Sequence, residues 1–306
     1  MPLSSKERDP SRVADWAERQ ILYSGDRGIA IEAVRTEVDA EGLLTEQDFP
    51  EVPIFPNELS ERLVSEAVRE IKRRTENAGQ GYPFRISMGR LELRRGVSRW
   101  NPYTFCLLVA DRDYYEQGDG SARMFEHLAS NALASYLGGS AVRFGEPRDT
   151  MPDDINQALD ALANATGDQR IVGMYPVQLT DQDFGLDVAA WKNFSDGQTS
   201  KILVYMQCAT GENWESKRGE PDLAAGGTWN KIISWTTQPV KAMAIPYVVP
   251  PGERWSRATP GLLLLDRVRI ASVLPTRLAS LNGVDWVTWS KQRVKQVSQA
   301  ILGGQE

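Results

Sequence analysis

Between Leu186 and Ala209 the chain carries two apolar runs, LDVAAW and ILVYMQCA, joined by a short polar connection containing Asp196-Gly197. An Asp-Gly pair between two strand-like runs is a tight-turn signal, so the two runs are expected to form an antiparallel hairpin. A hairpin fixes register as well as strand direction, and side chains on a strand alternate between faces. Parity puts Leu186, Val188 and Ala190 on one face and Asp187, Ala189 and Trp191 on the other. In the second run Ile202, Val204, Met206 and Cys208 oppose Leu203, Tyr205, Gln207 and Ala209. Each strand is expected to bury its wholly apolar set. Each then shows one polar group, Asp187 or Gln207, on the opposite side, where the two meet across the hairpin.

Upstream, MFEHLASNALASYLGG reads as a helix stopped by Gly138-Gly139. Its apolar arc is Phe125, Leu128, Ala129, Ala132, Leu133 and Tyr136, with Glu126 at the edge. Helices are also expected over Pro152–Asn164, Thr228–Thr237 and Asp285–Leu302, a strand over Val240–Val249, and a further apolar segment at GLLLLDRVRIASVL. That alternation describes an α/β domain with a mixed central sheet flanked by helices, placed at residues 119–306. Residues 1–118 read as a mainly helical accessory region, for recognition or partner binding. It has helices at 10–24, Ile29–Val38 and Glu58–Asn77, and strands around Phe84–Leu93 and Tyr103–Ala110. Residues 45–57, with three prolines, read as a connector. Short helices before a basic helix suit a winged-helix-like module, a helical lid or a partner-binding domain equally.

The chain has 306 residues, one histidine (His127) and two cysteines, Cys106 and Cys208, both inside apolar runs. A Cys/His zinc site is thereby excluded, and no G-x-S-x-G elbow accompanies His127. Metal chemistry must rest on carboxylates, which favours a hard ion such as Mg²⁺ or Mn²⁺. The N-terminus lacks an apolar signal segment and the apolar runs are short, so a cytoplasmic protein without membrane spans is expected. The formal net charge is −6, yet residues 61–100 hold ten basic against five acidic side chains.

An acid and an amide on adjacent strands, with Glu126 from a helix, would make an oxygen-rich cluster suited to a divalent ion that activates water for phosphodiester hydrolysis. FEHLASNALASYLGG, DFGLDVAAW and KILVYMQCATG together resemble the PD-(D/E)xK nuclease superfamily, and within it the Mrr-like restriction endonucleases. Their pattern is a helix glutamate, then D-G-G-x-D opening one strand, then Q-x-K ending the next. Glu126 matches the first, Asp183, Gly185 and Asp187 the second with Phe184 at a glycine position, and Gln207 the third. The likeness spans roughly residues 120–250. It implies a restriction-endonuclease-like fold, a Mg²⁺-dependent deoxyribonuclease acting in restriction or antiphage defence, and metal ligands Glu126, Asp187 and Gln207.

The Q-x-K lysine position is Ala209. Lys192 has the wrong parity, Lys201 lies six residues from Gln207, and Lys217 lies just beyond the strand, so Lys217 is the expected catalytic substitute. The alternative is a catalytically inactive nuclease-fold scaffold or sensor subunit of a multi-protein defence complex. DNA, other subunits of such a system and a second copy of the chain are the expected partners. Asp183 suits a loop cap or an acid behind the ligands, Asp266 a partner of Arg267 or Arg269, and His127 a role away from the site. Trp214 and Trp229 suit packing, with stacking on bases as the alternative.

Overall fold

The computed structural model describes residues 9–40, 56–111, 118–178, 181–276 and 284–303. The connector expected at 45–57 lies almost wholly outside them. The described residues form two compact units: one of Met1–Tyr114 with the C-terminal segment Asp285–Glu306, the other centred on Tyr115–Leu274. The expected division at 118/119 thus falls near the first crossing between units, but the last helix belongs to unit 1 and not to the α/β domain.

Unit 1 runs α1 (Pro10–Tyr23), β1 (Gly28–Ala30), α2 (Ile31–Ala40), α3 (Pro56–Ala78), β2 (Phe84–Ser87), β3 (Arg90–Leu93) and α4 (Pro102–Val109). Its strands form an antiparallel sheet in the order β1-β3-β2. Ile29 and Ala30, expected in the second helix, pair with Leu91 and Arg90 of β3 instead. The expected strand at Tyr103–Ala110 is the helix α4. Pro102 occupies its first turn and the Asn101 side chain accepts from the Thr104 N–H, two helix-start features that outweigh the β-prone composition. Its residues are buried all round, so no helical period marks them in the sequence. Arg74, fully buried in unit 1, is neutralised by Glu18, Glu70 and Asp15 at 2.6–2.9 Å.

Unit 2 contains α5 (Ser121–Leu137), β4 (Ser140–Arg143), α6 (Ile155–Thr166), β5 (Gln169–Arg170), β6 (Val188–Lys192), β7 (Ile202–Cys208), β8 (Ile233–Ser234), β9 (Val240–Ala244), α7 (Glu253–Ala258), β10 (Leu263–Leu265) and α8 (Arg267–Val273). A mixed five-stranded sheet in the order β10-β9-β7-β6-β4 forms its centre. The hairpin forms as expected: β6 and β7 are antiparallel, with Val188 opposite Met206 and Lys192 opposite Ile202. β9 then pairs in parallel with β7, and β10 in parallel with β9. The outcome is a mixed α/β sheet flanked by helices.

Both faces of the hairpin are buried, not one. Ala189, Trp191, Leu203 and Tyr205 pack in a core with Leu159 and Leu162 of α6, while Val188, Ala190, Val204 and Met206 are equally buried. Such near-continuous apolar strands belong to a sheet covered by helices on both sides. Tyr136, expected in the apolar arc of α5, is 58% exposed. The segment expected as a helix at Thr228–Thr237 is a short 3-10 turn at Trp229–Lys231 followed by β8, and the strand at Val240 ends by Ala244. Asp266 caps α8 by accepting from the Arg269 N–H, and so has a structural role. The final helix, α9 (Trp286–Gly303), packs in unit 1, where Trp286 and Trp289 meet the Phe105 ring edge-on at 5.8 and 5.3 Å.

Candidate active site

One end of the unit 2 sheet is where β4 ends, β6 begins and β7 ends. Glu126, Asp183, Asp187, Gln207 and Lys217 line one open cleft there, of about 890 Å³, together with Cys208, Glu220 and Asp222. The cleft gathers every residue assigned to the site from the sequence, from four separate segments.

Each is held by its neighbours. The Asp187 N–H donates to the Met206 carbonyl, and Asp187 Oδ2 accepts from the Cys208 N–H at 2.6 Å. This ties the carboxylate to the end of β7. Glu126, on the second turn of α5, has Oε2 fixed at 2.7 Å by Arg143 Nε. Arg143 itself is buried and held by the Pro147 carbonyl at 2.5 Å and by Asp149. Gly145 sits between the two acids: a Cβ there would come to 2.9 Å of Glu126 Oε2 and 3.0 Å of Asp187 Oδ1. The missing side chain at 145 therefore leaves the space that the two carboxylates face.

The Gln207 Nε2 donates to the Cys208 carbonyl at 3.3 Å, which leaves Oε1 a buried acceptor with no partner. A buried unpaired oxygen costs about 1–3 kcal/mol unless something fills the position. A hard cation would suit that oxygen together with the Glu126 and Asp187 carboxylates. Among the described residues no group of three or more His, Cys, Asp or Glu side chains is arranged to hold an ion. The residues that could hold a metal in this cleft are Glu126, Asp187 and Gln207 through Oε1, with a strand-end carbonyl.

Electrostatics in the cleft are adverse for a bare site. Burial raises the pKa of Asp187 well above the usual carboxylate range, and the neighbouring Glu126 and Asp183 add to it. Burial likewise raises Glu126, against the opposing pull of Arg143. Lys217 lies close enough to favour the ionised form of Asp187. Buried acids held near one another with a compensating cation are a common signature of functional sites.

Lys217 is at the end of a 3-10 turn, Trp214–Lys217, anchored by buried Trp214. The other lysines are engaged elsewhere: Lys192 Nζ donates to the Gly138 carbonyl and Lys201 Nζ to Asn193 Oδ1 at 2.7 Å. Ala209 packs with Trp214, Met243, Ile245 and Leu264 in an apolar cluster, so a lysine at 209 would start from buried apolar surroundings. Trp214 and Trp229 are both buried, which removes them as base-stacking platforms.

Asp183 caps its own loop, accepting from the Gly185 N–H at 2.9 Å, while also lining the cleft. Phe184, at the glycine position of the resembled pattern, has φ +54°, the left-handed region that glycine favours. Its ring is held edge-on by Tyr175 at 5.7 Å and Trp229 at 6.1 Å. His127 is buried with Nε2 2.6 Å from Asp149. Burial, then Arg143 and Arg123, push its pKa down, while the Asp149 carboxylate beside it favours the charged ring.

Sequence reasoning missed Arg143, Arg148 and Gly145. Arg148 donates to the Gln182 carbonyl at 2.6 Å and holds the loop before Asp183. The GEPRD stretch at 145–149 has no periodicity, and its partners, such as Gln182 for Arg148 and Asp187 for Gly145, are distant along the chain.

No protein-family model, curated protein or solved structure matches the chain. Among the described residues no helix is long and apolar enough to cross a membrane.

Proposed function

We propose that the chain is a metal-dependent endonuclease that hydrolyses phosphodiester bonds in DNA, with unit 2 a restriction-endonuclease-like domain of the PD-(D/E)xK kind acting in restriction or antiphage defence. One observation carries the reading: Glu126, Asp187 and the unpaired Gln207 Oε1 come together in a single cleft beside Lys217. Glu126, Asp187 and Gln207 would hold Mg²⁺ or Mn²⁺, which when bound lowers the pKa of water and offsets charge on the phosphate.

The chain's own residues do the rest. Arg143 fixes the Glu126 rotamer, and the Cys208 N–H fixes Asp187 Oδ2, which leaves Oδ1 toward Gly145. Lys217 brings an exposed positive charge to the cleft, suited to orienting the attacking water and stabilising the charge that develops on the phosphoryl oxygens. The rival reading, an inactive nuclease-fold scaffold or sensor subunit, rests on Ala209 and on a ligand set of only two carboxylates and an amide.

Titration of Mn²⁺ into the full chain, followed calorimetrically, separates the two. One saturable ion per cleft is expected. Asp187→Ala should abolish it, and Gly145→Ala should weaken it by at least about tenfold, because the added methyl meets both carboxylates. An affinity equal in all three proteins would mean that these residues hold no metal.

A further inference from the structure

Unit 1 carries a surface that the cleft does not use. Its elements come in the order helix, strand, helix, helix, hairpin, with β1 added to β3, the strand that closes the hairpin. Helix–turn–helix modules elaborated by such a hairpin, the wing, have this order and pairing. The long helix α3 buries Leu63, Val64, Ala67, Ile71 and Arg74. Opposite them Arg62, Ser65, Arg69 and Lys72 recur at intervals of three and four residues on the exposed side. Arg62 is paired with Glu66, but among the described residues Arg69 and Lys72 meet no acid.

The hairpin tip adds an independent observation. Met88 is 99% exposed and has φ +49°, followed by Gly89 at φ +70°. A methionine in the left-handed region costs on the order of 1 kcal/mol, and a bare apolar side chain gains nothing from water. The two-residue turn between β2 and β3 requires positive φ at both positions, so the backbone belongs to the hairpin; what the turn does not require is an apolar side chain at 88. Arg85 and Arg90 flank the tip and are exposed, with Arg85 paired to Glu92 at 2.7 Å and Arg90 donating to the Gly28 carbonyl at 2.8 Å. An apolar wedge between arginines is the kind of group that enters a minor groove, while a basic helix stripe suits the adjoining major groove. The charge contrast agrees: residues 61–100 are net basic within an acidic chain.

We propose that unit 1 binds duplex DNA, with the Arg62–Lys72 stripe of α3 directed to the major groove and Met88, at the β2–β3 tip, to the adjacent minor groove. The proposal stands on unit 1 alone and does not require that unit 2 cut. The test is fluorescence anisotropy of a labelled mixed-sequence duplex with the full chain in EDTA, so that cleavage cannot intervene. Binding at about 50 mM salt is expected, falling steeply by about 200 mM.

R69E/K72E should weaken binding by more than about tenfold and lower the salt slope by about 2, one phosphate contact per side chain. Met88→Gly should weaken it several-fold with the salt slope unchanged. K291E/K295E, the same charge change on exposed positions of α9, should bind as the unaltered chain does, and circular dichroism should show all variants folded. Three results would overturn the proposal: no duplex binding by the unaltered chain, equal losses in the two reversed pairs, or tighter binding to an RNA hairpin than to the duplex. Duplex binding with these variant effects but no cleavage in Mg²⁺ or Mn²⁺ would uphold it while counting against the reading of unit 2.

Discussion

Asp187→Asn is expected to abolish cleavage, by at least about 10³-fold, while raising the melting temperature of the metal-free chain. The two effects have one cause. Asp187 is 6% exposed and its pKa is raised, first by burial and then by Glu126 and Asp183. A carboxyl whose folded pKa lies above its unfolded value contributes its full stability below the unfolded value, near 4. That contribution is lost as pH rises through the folded pKa. At neutral pH the acid therefore opposes folding, and each unit of upward shift is worth about 1.4 kcal/mol.

Asparagine keeps an oxygen for the Cys208 N–H but carries no charge to desolvate. A melting temperature above that of the native chain is therefore expected at pH 7. Differential scanning calorimetry in EDTA should show the gain at pH 7 and its disappearance toward pH 4. Adding Mn²⁺ should reverse the ranking, since only the native acid gains from the ion. A variant less stable than the native chain in EDTA at pH 7 would contradict the account of the cleft's electrostatics.

Lys217→Ala is expected to lower kcat by about 10²–10³-fold with little change in KM, the pattern of a group that acts on developing charge and not on substrate binding. Lys217 is exposed at the end of a turn secured by Trp214, so the substitution should leave folding intact. Lys192→Ala and Lys201→Ala should keep kcat, because their ammonium groups are engaged with Gly138 and Asn193. Single-turnover cleavage under saturating Mg²⁺ reads all three. Equal kcat for Lys217→Ala and the native chain would remove Lys217 from the chemistry.

The hairpin was legible in the sequence because alternation within each run and the short connection containing Asp196-Gly197 are local signals; its register was not, since nine residues, 193–201, separate the two strands. Asp187 and Gln207 were legible for a related reason, since both lie at one end of that hairpin, whereas Lys217, nine residues beyond β7, was reached only through the resemblance. What stayed hidden depends on contacts distant along the chain. Burial of both hairpin faces needs α5 and α6, and the grip of Arg143 on Glu126 spans 17 residues. The α4 segment read as a strand because eight buried residues in a row carry no helical period. The return of α9 to unit 1 rests on aromatic contacts between Phe105 and two tryptophans far along the chain. Nothing near Trp286 marks those contacts in advance.

Cleavage of supercoiled plasmid by the purified full chain in Mg²⁺ or Mn²⁺, set beside Asp187→Ala prepared in parallel, tests the central claim most directly. The account predicts nicked and linear products from the native chain, none in EDTA, and none from Asp187→Ala. Cleavage that survives in Asp187→Ala would contradict it and place the activity outside this cleft.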